Sequence, residues 1–210
     1  VGPEEARRQQ RGHLVHDAGG EEGARDARPA LEQQAADAAR FWPQWRGPHF
    51  KGVSTTANPP ITWSESKNIA WKAPLPGRGN SPPVVWGDRL FVTSAVPAGV
   101  TGDAQHTPRG GLPQRGMHRF VVLAIDRKTG KLLWERTARQ QEPHEASHFE
   151  NGTWASGSPI TDGQRLFAYF ESFGLYAYDL NGKLLWEKDL GDKRMRNEFA
   201  TVRGIQIIRG

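Results

Sequence analysis

His144 and His148 stand four residues apart, with Glu145 between them and Glu150 just beyond. On a helix that spacing would aim two imidazoles at one metal ion, with Glu145 or Glu150 as third ligand. Pro143 and the polar neighbours make the segment a loop, so no metal is expected. Asp126 and Asp179 look like catalytic carboxylates only in isolation. Each stands just ahead of a glycine turn, where Asp accepts backbone N–H bonds. The run Gly77-Arg78-Gly79-Asn80 is too short and wrongly placed for a phosphate loop. Eight tryptophans remain, and Trp71, Trp134 and Trp186 share one context. They could stack a planar cofactor or a carbohydrate; the favoured reading is large rings filling gaps between packed sheets. No residue is therefore assigned to catalysis, cofactor binding or metal ligation.

The elements that carry these residues are repeated. Gly130 to Glu135 and Gly182 to Glu187 both read Gly-Lys-Leu-Leu-Trp-Glu. Upstream, Pro83, Gly87 and the run Arg89-Leu90-Phe91 match Pro159, Gly163 and the run Arg165-Leu166-Phe167. The unit is thus a Pro-led apolar strand, a Gly turn, a second strand, a third strand ending in Asp, a Gly turn and a fourth strand with Trp. Four strands joined by tight turns make a propeller blade. Asn181-Gly182 between apolar runs predicts a two-residue hairpin with both residues at positive φ. The longer run from Asp126 to Gly130 predicts a type I turn with Gly130 left-handed in a bulge. Alternation places Leu132 with Trp134 on one face, and Leu133 with Glu135 on the other. Burial of both faces between neighbouring blades would account for the adjacent leucines.

Composition bounds the rest. The chain of 210 residues has no cysteine, so disulfides and thiolate metal sites are excluded. Its net charge is +5, but the basic residues are scattered at turns, which argues against nucleic-acid binding. No apolar run approaches the roughly 20 residues that span a bilayer. Residues 1–40 carry only Val1, Leu14, Val15 and Leu31 as larger apolar residues and cannot bury a core. This region is expected to be disordered or a misread leader, with a short helix over 31–40. It has no signal-peptide h-region, although Ala36-Asp37-Ala38 is like the end of a cleavage site. Residues 96–119 and 137–156 are expected as long loops, and residues 200–210 as an atypical tail.

Residues 41–199 resemble the start of a PQQ-like β-propeller. That superfamily holds bacterial quinoprotein dehydrogenases and the lipoprotein subunit of the outer-membrane β-barrel assembly machinery. The resemblance rests on the tryptophan-docking pattern Ala-x-Asp-x-x-x-Gly-x-x-x-Trp. Ala124, Asp126, Gly130 and Trp134 match it fully; Ala177, Asp179, Gly182 and Trp186 match with one residue deleted before the Gly. The run from Trp42 to Pro48 is similar to the mature start of secreted propellers of this type. The resemblance implies an all-β, partial propeller of four-stranded antiparallel blades: two blades, plus an orphan Trp-bearing strand at residues 68–75 around Trp71. It also implies a fragment, whose missing blades would close a ring, and a periplasmic or extracellular setting.

The function expected is a non-catalytic repeat scaffold or binding protein with protein partners and no cofactor. The alternative is the N-terminal part of a quinoprotein dehydrogenase using PQQ and calcium. That alternative wants a catalytic acid, a calcium cluster and often a vicinal cysteine pair, and the chain shows none of these in sequence.

Overall fold

The run Val121-Val122-Leu123-Ala124-Ile125 is apolar at every position because both of its faces are covered. In the computed structural model the described residues are 29–30, 32–98, 116–144, 146–147, 153–193 and 199–200. The chain divides into two units, Val1–Ala35 and Ala36–Gly210. Of the first, residues 29–30 and 32–35 are described and are helical. The helical run continues to residue 40 at the start of the second unit.

The second unit holds two four-stranded antiparallel sheets. Strands β1 (Val84–Trp86), β2 (Arg89–Pro97), β3 (His118–Asp126) and β4 (Leu132–Gln141) form the first, in that order. A two-residue strand β5 (Ala146–Ser147) follows. Strands β6 (Ile160–Thr161), β7 (Arg165–Tyr169), β8 (Leu175–Asp179) and β9 (Leu184–Lys188) form the second sheet with the same order. Strand β10 (Phe199–Ala200) pairs in parallel with β5. Each four-stranded sheet is a simple meander, so the repeat in sequence is a repeat in topology. Among the described residues the sheets do not close into a barrel. They are two blades of a partial propeller.

The core lies between the blades. Phe91, Phe120, Val122 and Ala124 of the first sheet meet Leu166, Ala168, Tyr176 and Tyr178 of the second, with Phe170 and Phe173 from the β7–β8 connection. The Phe120 ring stacks on Phe173 at 4.1 Å and 18°, and meets Phe170 edge-on at 5.7 Å. The alternate residues Val92, Val121, Leu123 and Ile125 face the other way and pack with Trp71, Leu90 and Val96. Period-two alternation thus distributes one continuous apolar run between two cores.

Several local readings change. The leucine pairs are not buried: Leu132 and Leu133 are 54% and 47% exposed, and Leu184 and Leu185 are 44% each. A register shift sets Leu132 against Ile125 but Trp134 against Ala124, which inserts one extra residue into β4. The bulge interrupts the simple alternation that would put Leu132 and Trp134 on one face. At the second hairpin only Gly182 takes positive φ, at 84°; Asn181 does not. The Gly182 amide donates to Asp179 O at 3.0 Å, so Leu180 and Asn181 are the turn centre and Gly182 is the left-handed bulge residue. At the first hairpin Gly130 N–H donates to Asp126 O at 2.8 Å, with Gly130 at φ 73°, as its spacing predicts. Residues 68–75 form no ladder. Pro74 is one cause, since it has no N–H to donate. Residues 137–141 belong to β4 rather than a loop, held by pairing through His118↔Gln141. Likewise β2 runs to Pro97 and β3 starts at His118, which narrows the first expected loop. Residues 1–28 and 201–210, and most of both expected loops, lie outside the described residues.

Because Phe120 is fully buried where the two sheets meet, Phe120→Ala is expected to cost about 3–5 kcal/mol. Urea unfolding should show a lower midpoint with an unchanged slope. A loss below about 1 kcal/mol would mean that the aromatic stack does not join the sheets.

Candidate functional site

A glycine with positive φ has no side chain above its backbone, so a flat ring can lie directly on it. The repeat uses that opening from one sheet to the next. The Trp134 ring covers Gly182; a Cβ there would sit 2.8 Å from Trp134 Cδ2. The indole Nε1–H of Trp134 donates to Leu180 O at 3.1 Å. Trp71 repeats the arrangement on the first sheet. Its ring covers Gly130, where a Cβ would sit 2.6 Å from Trp71 Cε3, and its Nε1–H donates to Arg127 O at 2.9 Å. In both cases the accepting carbonyl belongs to the residue just after the repeat's Asp. Ala124 and Ala177 are fully buried opposite Trp134 and Trp186 in the ladders.

The carboxylates build the turns that are covered. Asp126 Oδ1 accepts from Lys128 N, Thr129 N and Thr129 Oγ1 at 3.0, 2.7 and 2.8 Å. Those bonds, the Thr129 hydroxyl first, hold the Asp126 carboxyl below its ordinary value of 3.8. Asp179 Oδ1 accepts from Asn181 N and Lys183 N at 2.8 and 2.9 Å.

Two arginines reinforce the contact between sheets. Arg89 donates Nη1–H to Leu180 O, the carbonyl that Trp134 also engages, and Nη2–H to Asn181 Oδ1 at 2.9 Å. Arg136 donates Nε–H to Gly182 O at 2.7 Å, with its guanidinium 5.7 Å from the centre of the Trp134 ring. Sequence reading missed both, although the matched Arg89-Leu90-Phe91 and Arg165-Leu166-Phe167 runs held the signal for Arg89. It also missed Trp86, whose ring lies on Gly163. Trp42 pairs with Val85, and Pro43 O accepts from Thr161 N at 2.9 Å, so the segment at 42–43 touches the inner strand of each sheet.

The other candidates fall in different places. Arg78 pairs with Ala95, and Gly77 and Gly79 press on the β2 backbone. Those glycines serve close backbone approach, not an anion. The order His144-Glu145-Ala146-Ser147-His148 does spell His-Glu-x-x-His, a zinc pattern when helical. Ala146 and Ser147 are instead in the extended strand β5. At about 3.3 Å per residue, extended backbone carries side chains apart rather than onto one helical face. His144 sits beside Phe173, ring centres 5.8 Å apart, with Nδ1 3.9 Å from Asp192 Oδ1. Glu145, His148 and Glu150 lie outside the described residues. Among the described residues no three His, Asp or Glu side chains converge as a metal site. His118 is buried against the edge of Trp154 at 4.5 Å, and burial lowers its pKa. A cleft of about 190 Å³ is lined by Arg40, Phe41, Trp42, His49, Val85 and Arg127 among others, and none of the repeat residues reaches it.

Comparison with known proteins follows the repeat. A family model described as Outer membrane protein assembly factor BamB matches residues 52–207. No curated protein sequence matches the chain. Among solved structures, a europium-containing methanol dehydrogenase matches at 18% identity with a TM-score of 0.29, over 53% of this chain and 24% of that one. The chain therefore spans about a quarter of the length of that structure.

Two glycine substitutions separate ring contact from backbone strain. Gly182→Ala meets both the Trp134 ring and a positive φ, whereas Gly87→Ala meets only φ 59°, with nothing within 4 Å. The expected losses are about 2–4 kcal/mol for Gly182→Ala and about 1 kcal/mol for Gly87→Ala, by urea unfolding. Equal losses would remove the ring from the account. Asp126→Asn keeps the accepting oxygen but removes the charge. A carboxyl held low in the folded state stabilises above its ordinary value and loses that contribution as pH falls through the folded value. The acid limb of the urea midpoint below about pH 4 should therefore be shallower in Asp126→Asn than in the parent. Superimposable limbs would contradict the turn bonds.

Proposed function

The chain belongs to the family described as Outer membrane protein assembly factor BamB, and from that premise we propose that it is a non-catalytic repeat scaffold that binds protein partners outside the cytoplasm. One observation carries the reading: the residue types that could do chemistry are committed to holding one sheet on the next. Asp126 and Asp179 fold their carboxylates onto their own turns. Trp134 lies on a backbone glycine of the following sheet. This is the geometry that the tryptophan-docking pattern requires, and it assigns the repeat to docking rather than to a cofactor. The family description, an assembly factor, points the same way. No described helix is long and apolar enough to cross a membrane.

PQQ with calcium is the chemistry of the competing reading, the N-terminal part of a quinoprotein dehydrogenase. The described residues do not fit it. The repeat carboxylates face backbone amides, and Trp71 and Trp134 are covered on the face that a planar group would need. No step through PQQ or calcium follows from this geometry.

Calorimetric titration with PQQ in the presence of calcium distinguishes the two readings. The expected result is heat indistinguishable from dilution. Saturable binding at one PQQ per chain would overturn the scaffold assignment.

A further inference from the structure

Each sheet of the repeat has two faces, and the second sheet carries the same outgoing face as the first. On the first sheet that face is Arg89, Phe91, Ala124, Trp134 and Arg136, and it grips the turn at 179–183 of the next sheet. The corresponding residues on the second sheet are Arg165, Phe167, Ala177, Trp186 and Lys188. The correspondence extends to geometry. The Phe91–Trp134 rings lie 6.0 Å apart at 42°, and the Phe167–Trp186 rings lie 5.9 Å apart at 48°. Trp186 holds this position while 42% exposed, whereas Trp134 is half-buried under its turn.

We propose that the Arg165–Phe167–Trp186–Lys188 face is a docking surface for a β-hairpin turn of the Asp-x-Asn-Gly kind, presented by a further sheet of this repeat type. The inference rests on the scaffold reading and names the partner of that surface. Three features specify the occupant. It must have a glycine at positive φ, because only a turn without a Cβ admits the ring. It must present the carbonyl after its Asp to the Trp186 indole N–H, as Arg127 O and Leu180 O do for Trp71 and Trp134. It must offer further carbonyls to two cations, since Arg165 and Lys188 stand where Arg89 and Arg136 stand. Charge-assisted bonds of that kind are stronger than neutral ones. Because the ring pair is already in its gripping arrangement, little side-chain ordering opposes docking. A second copy of this chain is not the occupant. Both of its Asp–Gly turns are already covered, one by Trp71 and the other by Trp134.

The test adds a backbone-cyclised hairpin with the sequence of Tyr176–Glu187 to the whole chain. The Trp186 indole N–H resonance is assigned by its loss in Trp186→Phe and followed by NMR. The expected result is a saturable downfield shift of that resonance with the Trp134 resonance unmoved. A hairpin carrying Gly182→Ala should bind at least tenfold more weakly. Arg165→Gln and Lys188→Gln in the chain, both at exposed positions, should each weaken binding severalfold. An unmoved Trp186 resonance at millimolar hairpin would overturn the proposal, as would equal binding of the Gly182→Ala hairpin. Concentration-dependent dimerisation that shifts the Trp71 resonance would also overturn it, by making a second copy the occupant. Failure here leaves the PQQ titration untouched, so loss of this surface and loss of the scaffold reading are separate outcomes.

Discussion

A tryptophan ring laid flat on a glycine at positive φ is the contact on which the rest of this structure depends. It occurs four times: Trp42 on Gly47, Trp71 on Gly130, Trp86 on Gly163 and Trp134 on Gly182. The constraint is steric and tight. At Gly47 a Cβ would sit 2.7 Å from Trp42 Cζ3, and at Gly130 2.6 Å from Trp71 Cε3. Neither partner can change alone. The glycine supplies the left-handed turn that ends a strand, and the ring removes that turn's backbone from water. Two of the four contacts, Trp86 on Gly163 and Trp134 on Gly182, run from the first sheet to the second. They fix the sheets near their inner and outer strands respectively.

Polar groups then set the orientation that rings alone would leave loose. Leu180 O accepts from both Trp134 and Arg89, and Gly182 O from Arg136. These carbonyls point outward because the Asp179 carboxylate holds the turn from within. The acid therefore acts through backbone geometry, and its chemistry is used up in a structural bond. The same division holds in the first hairpin, where Asp126 organises the turn and Arg127 O meets Trp71. Between these anchors the apolar core is ordinary in kind: stacked Phe120 and Phe173, with Leu166, Ala168 and the two buried tyrosines behind them. Burial raises the pKa of Tyr176 and Tyr178, which keeps their hydroxyls protonated.

The repeat, the strand order and the apolar alternation of β2 and β3 were legible because they depend on nearest neighbours in the ladder. The glycine turns were legible too, since Gly130 and Gly182 follow their Asp at fixed distances. The errors arose where one inserted residue or one distant partner decides. The bulge in β4 at Leu132 and Leu133 exposes a pair that simple alternation would bury. Asn181 keeps a negative φ because the turn centres one residue earlier than Asn-Gly suggests. The segment around Trp71 looks like a strand by composition, yet it forms no ladder and still delivers its ring to Gly130. The candidate metal segment failed for a similar reason: a spacing that suits a helix has no such meaning in the extended strand β5.

By itself the sequence determined the unit: four strands, an Asp-built turn, a glycine without a side chain and a tryptophan four residues later. Those are local properties, set by φ, side-chain size and period-two burial. Only the tertiary structure decided which tryptophan covers which glycine. It paired each ring with a turn about 50–60 residues further along the chain, Trp71 with Gly130 and Trp134 with Gly182. It also recruited Arg89 and Arg136, whose types say nothing about a carbonyl on another sheet. The reason is that a sheet's own hydrogen bonds satisfy its backbone but not its faces. What lies on a face depends on the element folded against it.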